Sequence, residues 1–216
     1  YKFYFLDYLQ GLALLQKQDV SASSYLHRFY NRFKGNSFKK SCLQKLSWYY
    51  LLKGELSTAE SFKDKILKVG HVLNEEDKAA EHYASKSLPN RYLLKARLLY
   101  DGGYHKQALE VLNMVDYKKL GSSQLKAEFS YRKGKVLWQT GEIEKAVTYY
   151  TACTLFSKSS TEYYGPYACI YLADYYLGKK QNEDAKKYYK MALSYKQNLE
   201  YTGSIERRAK AGLKKL

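Results

Sequence analysis

Three alanines, Ala108, Ala146 and Ala185, recur at the same place in a repeating pattern, each just after a short break between two apolar runs. The stretches read Leu-Leu-Tyr-Asp-Gly-Gly-Tyr-His-Lys-Gln-Ala108, Leu-Trp-Gln-Thr-Gly-Glu-Ile-Glu-Lys-Ala146 and Tyr-Tyr-Leu-Gly-Lys-Lys-Gln-Asn-Glu-Asp-Ala185. Their spacings are 146 − 108 = 38 and 185 − 146 = 39 residues. A period of roughly 20 to 50 residues marks a chain built from stacked units, none of which can bury its apolar face alone. Such a stack is one elongated array whatever its length, and it offers a surface for partners more than a pocket for chemistry.

The unit is helical. Glycine (13) and proline (2) are scarce in 216 residues, and the glycines fall where the helical pattern breaks. No stretch of about 18 uncharged apolar residues predicts a membrane span. Thirty Lys and seven Arg against 21 acidic residues give a net charge of +16. That charge attracts polyanions non-specifically, but lysine more often coats a solvated face, whereas arginine is favoured for bidentate phosphate recognition. Cys42, Cys153 and Cys169 show no Cys-x-x-Cys pair and no metal-like spacing. The chain opens on Tyr1 without a methionine and is expected to be a fragment of a longer protein.

Apolar and small residues at spacings of three and four trace five helix pairs, at about 4–34, 40–70, 89–118, 127–158 and 166–197. In the fourth, Gly134, Leu137, Ile143, Ala146, Tyr150 and Cys153 share the inner face, and Gly141 ends the first helix. Leu172, Ala173, Tyr176, Ala185, Tyr189 and Ala192 repeat the plan in the fifth, as do Ala96, Leu99, Gly103, Ala108, Leu112 and Val115 in the third. The second pair carries Leu43, Leu46, Tyr50, Gly54, Leu56, Ala59 and Ile66. The first carries Gly11, Leu14, Val20, Ser23 and Tyr30, with Ser23 where an alanine is expected. From Ala59 to Ala108 the gap is 49 residues, about one short helix too many. The surplus maps to an inserted helix at about 74–86, opened by Asn74 as N-cap and by Glu75, Glu76 and Asp77 in an acidic first turn. Pro89 stands near the start of the next helix, where proline is tolerated. Residues 201–216, rich in Lys and Arg, predict a terminal capping helix.

The Gly/Ala, Leu/Tyr, Gly, Ala, Tyr/Leu, Ala series resembles tetratricopeptide repeats, stretched by four to five residues from their usual period of 34. The resemblance implies an all-α, right-handed superhelix of antiparallel hairpins. More narrowly, Leu46-Ser47-Trp48-Tyr49-Tyr50-Leu51-Leu52, Leu93 to Tyr104 and Lys210-Ala211-Gly212-Leu213 resemble the C-terminal half of a family of uncharacterised Bacteroidetes repeat proteins. That likeness implies a preceding half and export to the periplasm or cell envelope behind a cleaved signal, and it brings no activity, cofactor or partner.

No glycine-rich phosphate loop, Gly-x-Ser-x-Gly elbow or His-Glu-x-x-His motif occurs, so no catalytic residue, cofactor or metal ligand is assigned and the chain is not read as an enzyme. His71 and His82 lie near Glu75, Glu76 and Glu81, which reads as an exposed polar insertion. Cys153 and Cys169 stand at positions that repeats fill with small apolar residues, and no base can be named for Cys42. Many of the 25 tyrosines, among them Tyr50, Tyr150, Tyr176 and Tyr189, take core positions. The rest suit a binding surface, with large area and few torsions. In tetratricopeptide arrays the first helix of each pair lines the concave face. On this register that face holds Trp48, Arg97, Tyr100, Tyr131, Arg132, Lys135, Trp138, Tyr167, Tyr171 and Asp174. Aromatics among cations fit an extended peptide with acidic and apolar groups. The asparagines with which some tetratricopeptide proteins clamp a terminal carboxylate are missing. Two other readings stay open: nucleic-acid or other polyanion binding, by stacking on Tyr and Trp beside Lys, and self-association through Phe3, Tyr4 and Phe5.

Overall fold

The structure, a computed structural model, describes residues 3–158, 160, 162–195 and 201–216. Among them are twelve α-helices, one short 3-10 turn at Tyr117–Lys119 and no strand. The chain forms two compact units, Tyr1–Tyr104 and His105–Leu216. Their boundary falls between the two helices expected to make the third pair. The last two positions of the fifth expected pair, 196 and 197, lie outside the described residues.

In the first unit α1 (Phe5–Lys17) pairs with α2 (Ala22–Arg32), and α3 (Lys39–Lys53) with α4 (Leu56–Ile66). The inserted helix α5 (Glu75–Ala84) packs on α3 and α4, while α6 (Arg91–Asp101) packs on α1 and α3. Enclosed by these neighbours, α3 buries every residue from Lys40 to Trp48, polar ones included. In the second unit α7 (His105–Asn113) packs on α8 (Ser123–Gln139), which pairs with α9 (Ile143–Phe156). Then α10 (Tyr164–Gly178) pairs with α11 (Asn182–Ser194), and α12 (Thr202–Leu213) closes on both. The architecture is all-α, of helical-hairpin solenoid type.

What repeats most faithfully is the way the first helix of each pair stops. Gln18, Gly54, Gly103, Gly141 and Lys180 all take left-handed backbone, with φ between 61° and 86°. The amide one residue further on then donates to the carbonyl five residues before it: Asp19 to Leu14, Glu55 to Tyr50, Tyr104 to Leu99, Glu142 to Leu137 and Gln181 to Tyr176, at 2.8–2.9 Å. This is the six-to-one bond that satisfies an orphan carbonyl at a helix end. The turn spacings are 54 − 18 = 36, 103 − 54 = 49, 141 − 103 = 38 and 180 − 141 = 39, so the stop carries the period.

One residue of the first hairpin differs from its expected place. Ala22, not Ser23, is the fully buried small residue where α2 approaches α1. Asp19 explains the shift. Its carboxylate accepts from the Ser21 amide at 2.9 Å and the Ser21 hydroxyl at 2.6 Å, which tightens the turn by one residue. Val20 and Leu56, expected on inner faces, are exposed because they fall in the turn and at the outer start of α4. Tyr150 and Tyr189 are fully buried, whereas Tyr50 and Tyr176 are half-buried at the margins of the cores.

The inserted helix is no loose polar excursion. Asn74 caps it as expected, its Oδ1 accepting from the Asp77 amide at 2.8 Å. Asp77, however, is wholly buried. Its carboxylate accepts from the backbone amides of Phe38 (2.7 Å) and Ser41 (3.0 Å), and from Asn74 Nδ2 (3.0 Å). A carboxylate from α5 thus serves as the N-terminal cap of α3, whose own Ncap residue, Phe38, offers no side-chain acceptor.

Candidate partner-binding site

The ten expected groove residues fall three in the first unit and seven in the second. In the first, Trp48 is buried on α3, its indole edge-on to Tyr83 of α5 at 5.9 Å. The Arg97 guanidinium on α6 stands over the indole at 5.2 Å, and its Nε lies 3.6 Å from Asp101 Oδ2. Tyr100, one turn along α6, is half-buried. The inserted helix therefore covers an aromatic that the register assigns to an open face. Its Tyr83 hydroxyl reaches Ser47 Oγ at 2.7 Å, and burial, foremost, pushes the phenol well above its ordinary range.

In the second unit α8 contributes four residues at two depths. Tyr131 and Arg132 are buried. Arg132 donates from Nε to Glu128 Oε1 at 2.8 Å, one turn back on the same helix, and its guanidinium faces the Tyr164 ring at 5.6 Å. Burial, the largest influence, works against that charge, but Glu128 together with the Tyr164 and Tyr163 hydroxyls outweighs it and holds Arg132 protonated well above its ordinary range. Arg132 is an interior ion pair, not a groove cation. Lys135 and Trp138 are half-buried, with Lys135 Nζ 5.9 Å from the Tyr131 ring centre.

Tyr171 of α10 joins these helices. It stacks on the buried Tyr150 with ring centres 4.7 Å apart and planes 2° from parallel, and it meets Trp138 at 5.7 Å. Beneath them Gly134 leaves room for Tyr150, since a Cβ there would stand 2.8 Å from two ring carbons. Tyr167 and Asp174 lie on the same helix but are engaged by α12. Ser204 Oγ accepts from the Tyr167 hydroxyl at 3.2 Å, and Arg208 donates to Asp174 Oδ2 at 3.0 Å. The Arg208 guanidinium also covers the Tyr167 and Tyr171 rings, at 5.9 and 5.6 Å. Tyr189 from α11 donates to Asp174 Oδ1 at 2.6 Å.

Arg208, Ser204 and Tyr83 are the residues that sequence reasoning missed. A signal for the first two was present. The small residues Gly134, Ala173 and Gly212 are spaced 173 − 134 = 39 and 212 − 173 = 39, which marks α12 as one more first helix in the same register. It buries Ile205, Ala209 and Gly212 against α11, where a Cβ on Gly212 would collide with the Tyr189 ring, and leaves Arg207, Lys210 and Lys214 to solvent.

A family model described as tetratricopeptide repeat matches residues 127–159, which takes in most of α8 and all of α9. No curated protein and no solved structure matches the chain. With the all-helical architecture, the match supports a protein of tetratricopeptide-repeat type. Such repeats generally mediate protein–protein interaction. Among the described residues no helix is long and apolar enough to cross a membrane.

Proposed function

We propose that the chain is a non-catalytic interaction module that binds a protein segment in a groove on α8 and α10, in the second unit. The observation that carries this reading is the half-buried pair Trp138 and Tyr171, side by side at 5.7 Å and bordered by the cations Lys135 and Arg208. Rigid aromatics with cations at the rim suit an extended segment carrying apolar and acidic side chains. Of the expected groove set, Lys135, Trp138 and Tyr171 make up this surface in the second unit, with the exposed Asp174 at its border. Tyr131 and Arg132 support them from within, and Tyr167 and Asp174 orient α12.

The test is capture of partners by the full chain from its own cells, compared with Trp138→Ala and Lys135→Glu variants whose helicity and unfolding midpoint are unchanged. Loss of a co-purifying protein in both variants supports the reading. Undiminished capture refutes the surface, though not the interaction role. Arg132 is unsuited to this test, because removing it strands Glu128 in the interior.

A further inference from the structure

Twelve residues before the left-handed turn that ends each first helix (18 − 6 = 12 in α1) stand Leu6 in α1, Cys42 in α3, Arg91 in α6, Phe129 in α8 and Ala168 in α10. Three of the five are buried, each against what precedes it in the chain. Cys42 donates from Sγ to the Leu26 carbonyl of α2 at 3.2 Å, Phe129 meets the Tyr117 ring at 5.4 Å, and Ala168 lies among residues of α9. Arg91 is exposed, and it is charged. Of the five, Leu6 alone is both apolar and exposed, at 58%.

Its neighbours on that side of α1 are exposed too. Phe3, Leu9, Gln10 and Ala13 follow it at helical spacings, opposite the buried Tyr8, Gly11 and Leu15. Helix α6 packs at the C-terminal end of α1, where a Cβ on Gly102 would stand 2.8 Å from Gln16 Cβ. From Phe3 to Ala13 the exposed face carries no charge, and Asp7 at its edge is neutralised by Arg28 at 2.6 Å. In a chain of net charge +16, this is a face that a second copy can approach without lysine opposing lysine. It is also complementary to itself. Leu6 and Ala13, one large and one small, lie symmetrically about the point between Leu9 and Gln10.

We propose that two copies of this chain associate through α1, the two helices lying antiparallel about a two-fold axis between Leu9 and Gln10. Leu6 of each copy then packs against Ala13 of the other, and Leu9 against Gln10. A two-fold contact uses the same patch on both copies, so each pairing is made twice. The Gln10 amide carries both donors and an acceptor, which suits it to a place beside its own copy near the axis. One helix face is less than the ~800 Å² per partner of a standard interface, so the dimer is weak, with a dissociation constant of roughly 10–100 μM. The face belongs to the first unit and shares no residue with the Trp138–Tyr171 groove, so either proposal can fail without the other.

The test is sedimentation of the full chain from about 5 to about 500 μM, at low and at high salt. A monomer–dimer equilibrium is expected, and it should tighten as salt screens the +16 charge. Leu6→Ala changes an exposed side chain and leaves the fold intact, which helicity and the urea midpoint check. It should weaken the dimer roughly thirtyfold, because the lost contact occurs twice. Ala13→Leu should weaken it too, by setting leucine against leucine. The double exchange, Leu6→Ala with Ala13→Leu, again sets a large residue opposite a small one and should recover most of the affinity. A chain that stays monomeric at the highest concentration assigns the face to some other occupant and overturns the proposal. So does a dimer indifferent to Leu6→Ala, a double exchange no tighter than Leu6→Ala alone, or a dimer that dissociates as salt rises.

Discussion

Replacing Asp77 by alanine tests whether the inserted helix is part of the first unit's framework. The substitution removes the acceptor of the Phe38 and Ser41 amides, at 2.7 and 3.0 Å, and leaves two donors at the start of α3 with no partner. Each unsatisfied donor costs about 1–3 kcal/mol, so the first unit should lose roughly 3–4 kcal/mol. With a urea dependence of about 2 kcal/mol per molar, the midpoint should fall by roughly 1.5–2 M. Trp48 reports the first unit and Trp138 the second, so the measurement is urea unfolding by fluorescence in a Trp138→Phe background. Asp77→Asn keeps one oxygen acceptor and should lose about half as much. A midpoint that does not move in Asp77→Ala would refute the capping argument. Equal losses in the two variants would show that charge, not acceptance, is what α3 requires.

Arg132→Ala should destabilise the second unit by about 3–5 kcal/mol by stranding Glu128, and the double change Glu128→Gln with Arg132→Met should recover most of it; Trp138 fluorescence in urea compares the two. Gly134→Ala, despite alanine's better helix propensity, should destabilise by about 1–3 kcal/mol, since its Cβ would stand 2.8 Å from the fully buried Tyr150 ring; an unchanged thermal midpoint would contradict that packing. Lys45, pushed down to about 7 in the fold by burial first and Arg97 second, against 10.5 in the open chain, binds more protons when unfolded across that window. First-unit stability should therefore rise with pH between about 7 and 9.5, by at most about 1.4 kcal/mol per unit. Lys45→Met should flatten the slope in parallel urea titrations.

The hairpin plan was legible because stopping a helix and packing it tightly need particular residue types. Gly54, Gly103 and Gly141 announce left-handed turns, and the alanines that follow announce close approach. Gln18 and Lys180 make the same turn with no such signal, since only their place in the period points to them. At the candidate site, periodicity could assign Trp48, Tyr167 and Asp174 to first-helix positions, but exposure is a tertiary property. Whether a position faces a partner depends on what else folds over it: α5 folds over Trp48, and α12 engages Tyr167 and Asp174. Arg132 shows the same limit: as a symbol it is a cation on a helix face, and only the depth of Glu128 makes it an interior residue.

The cap that α5 supplies to α3 also has a direction in time. A chain made from its N-terminus releases Phe38 and Ser41 some 36 to 39 residues before Asp77. Until that carboxylate emerges, the first turn of α3 must leave its amides to water, although α4, the hairpin partner of α3, is already complete. Repeat arrays can ordinarily fold by adding each hairpin to the one before it. Here the second hairpin waits for the segment that follows it. A nascent chain halted before residue 74 would hold a frayed hairpin, and one extended past residue 84 would close it from behind.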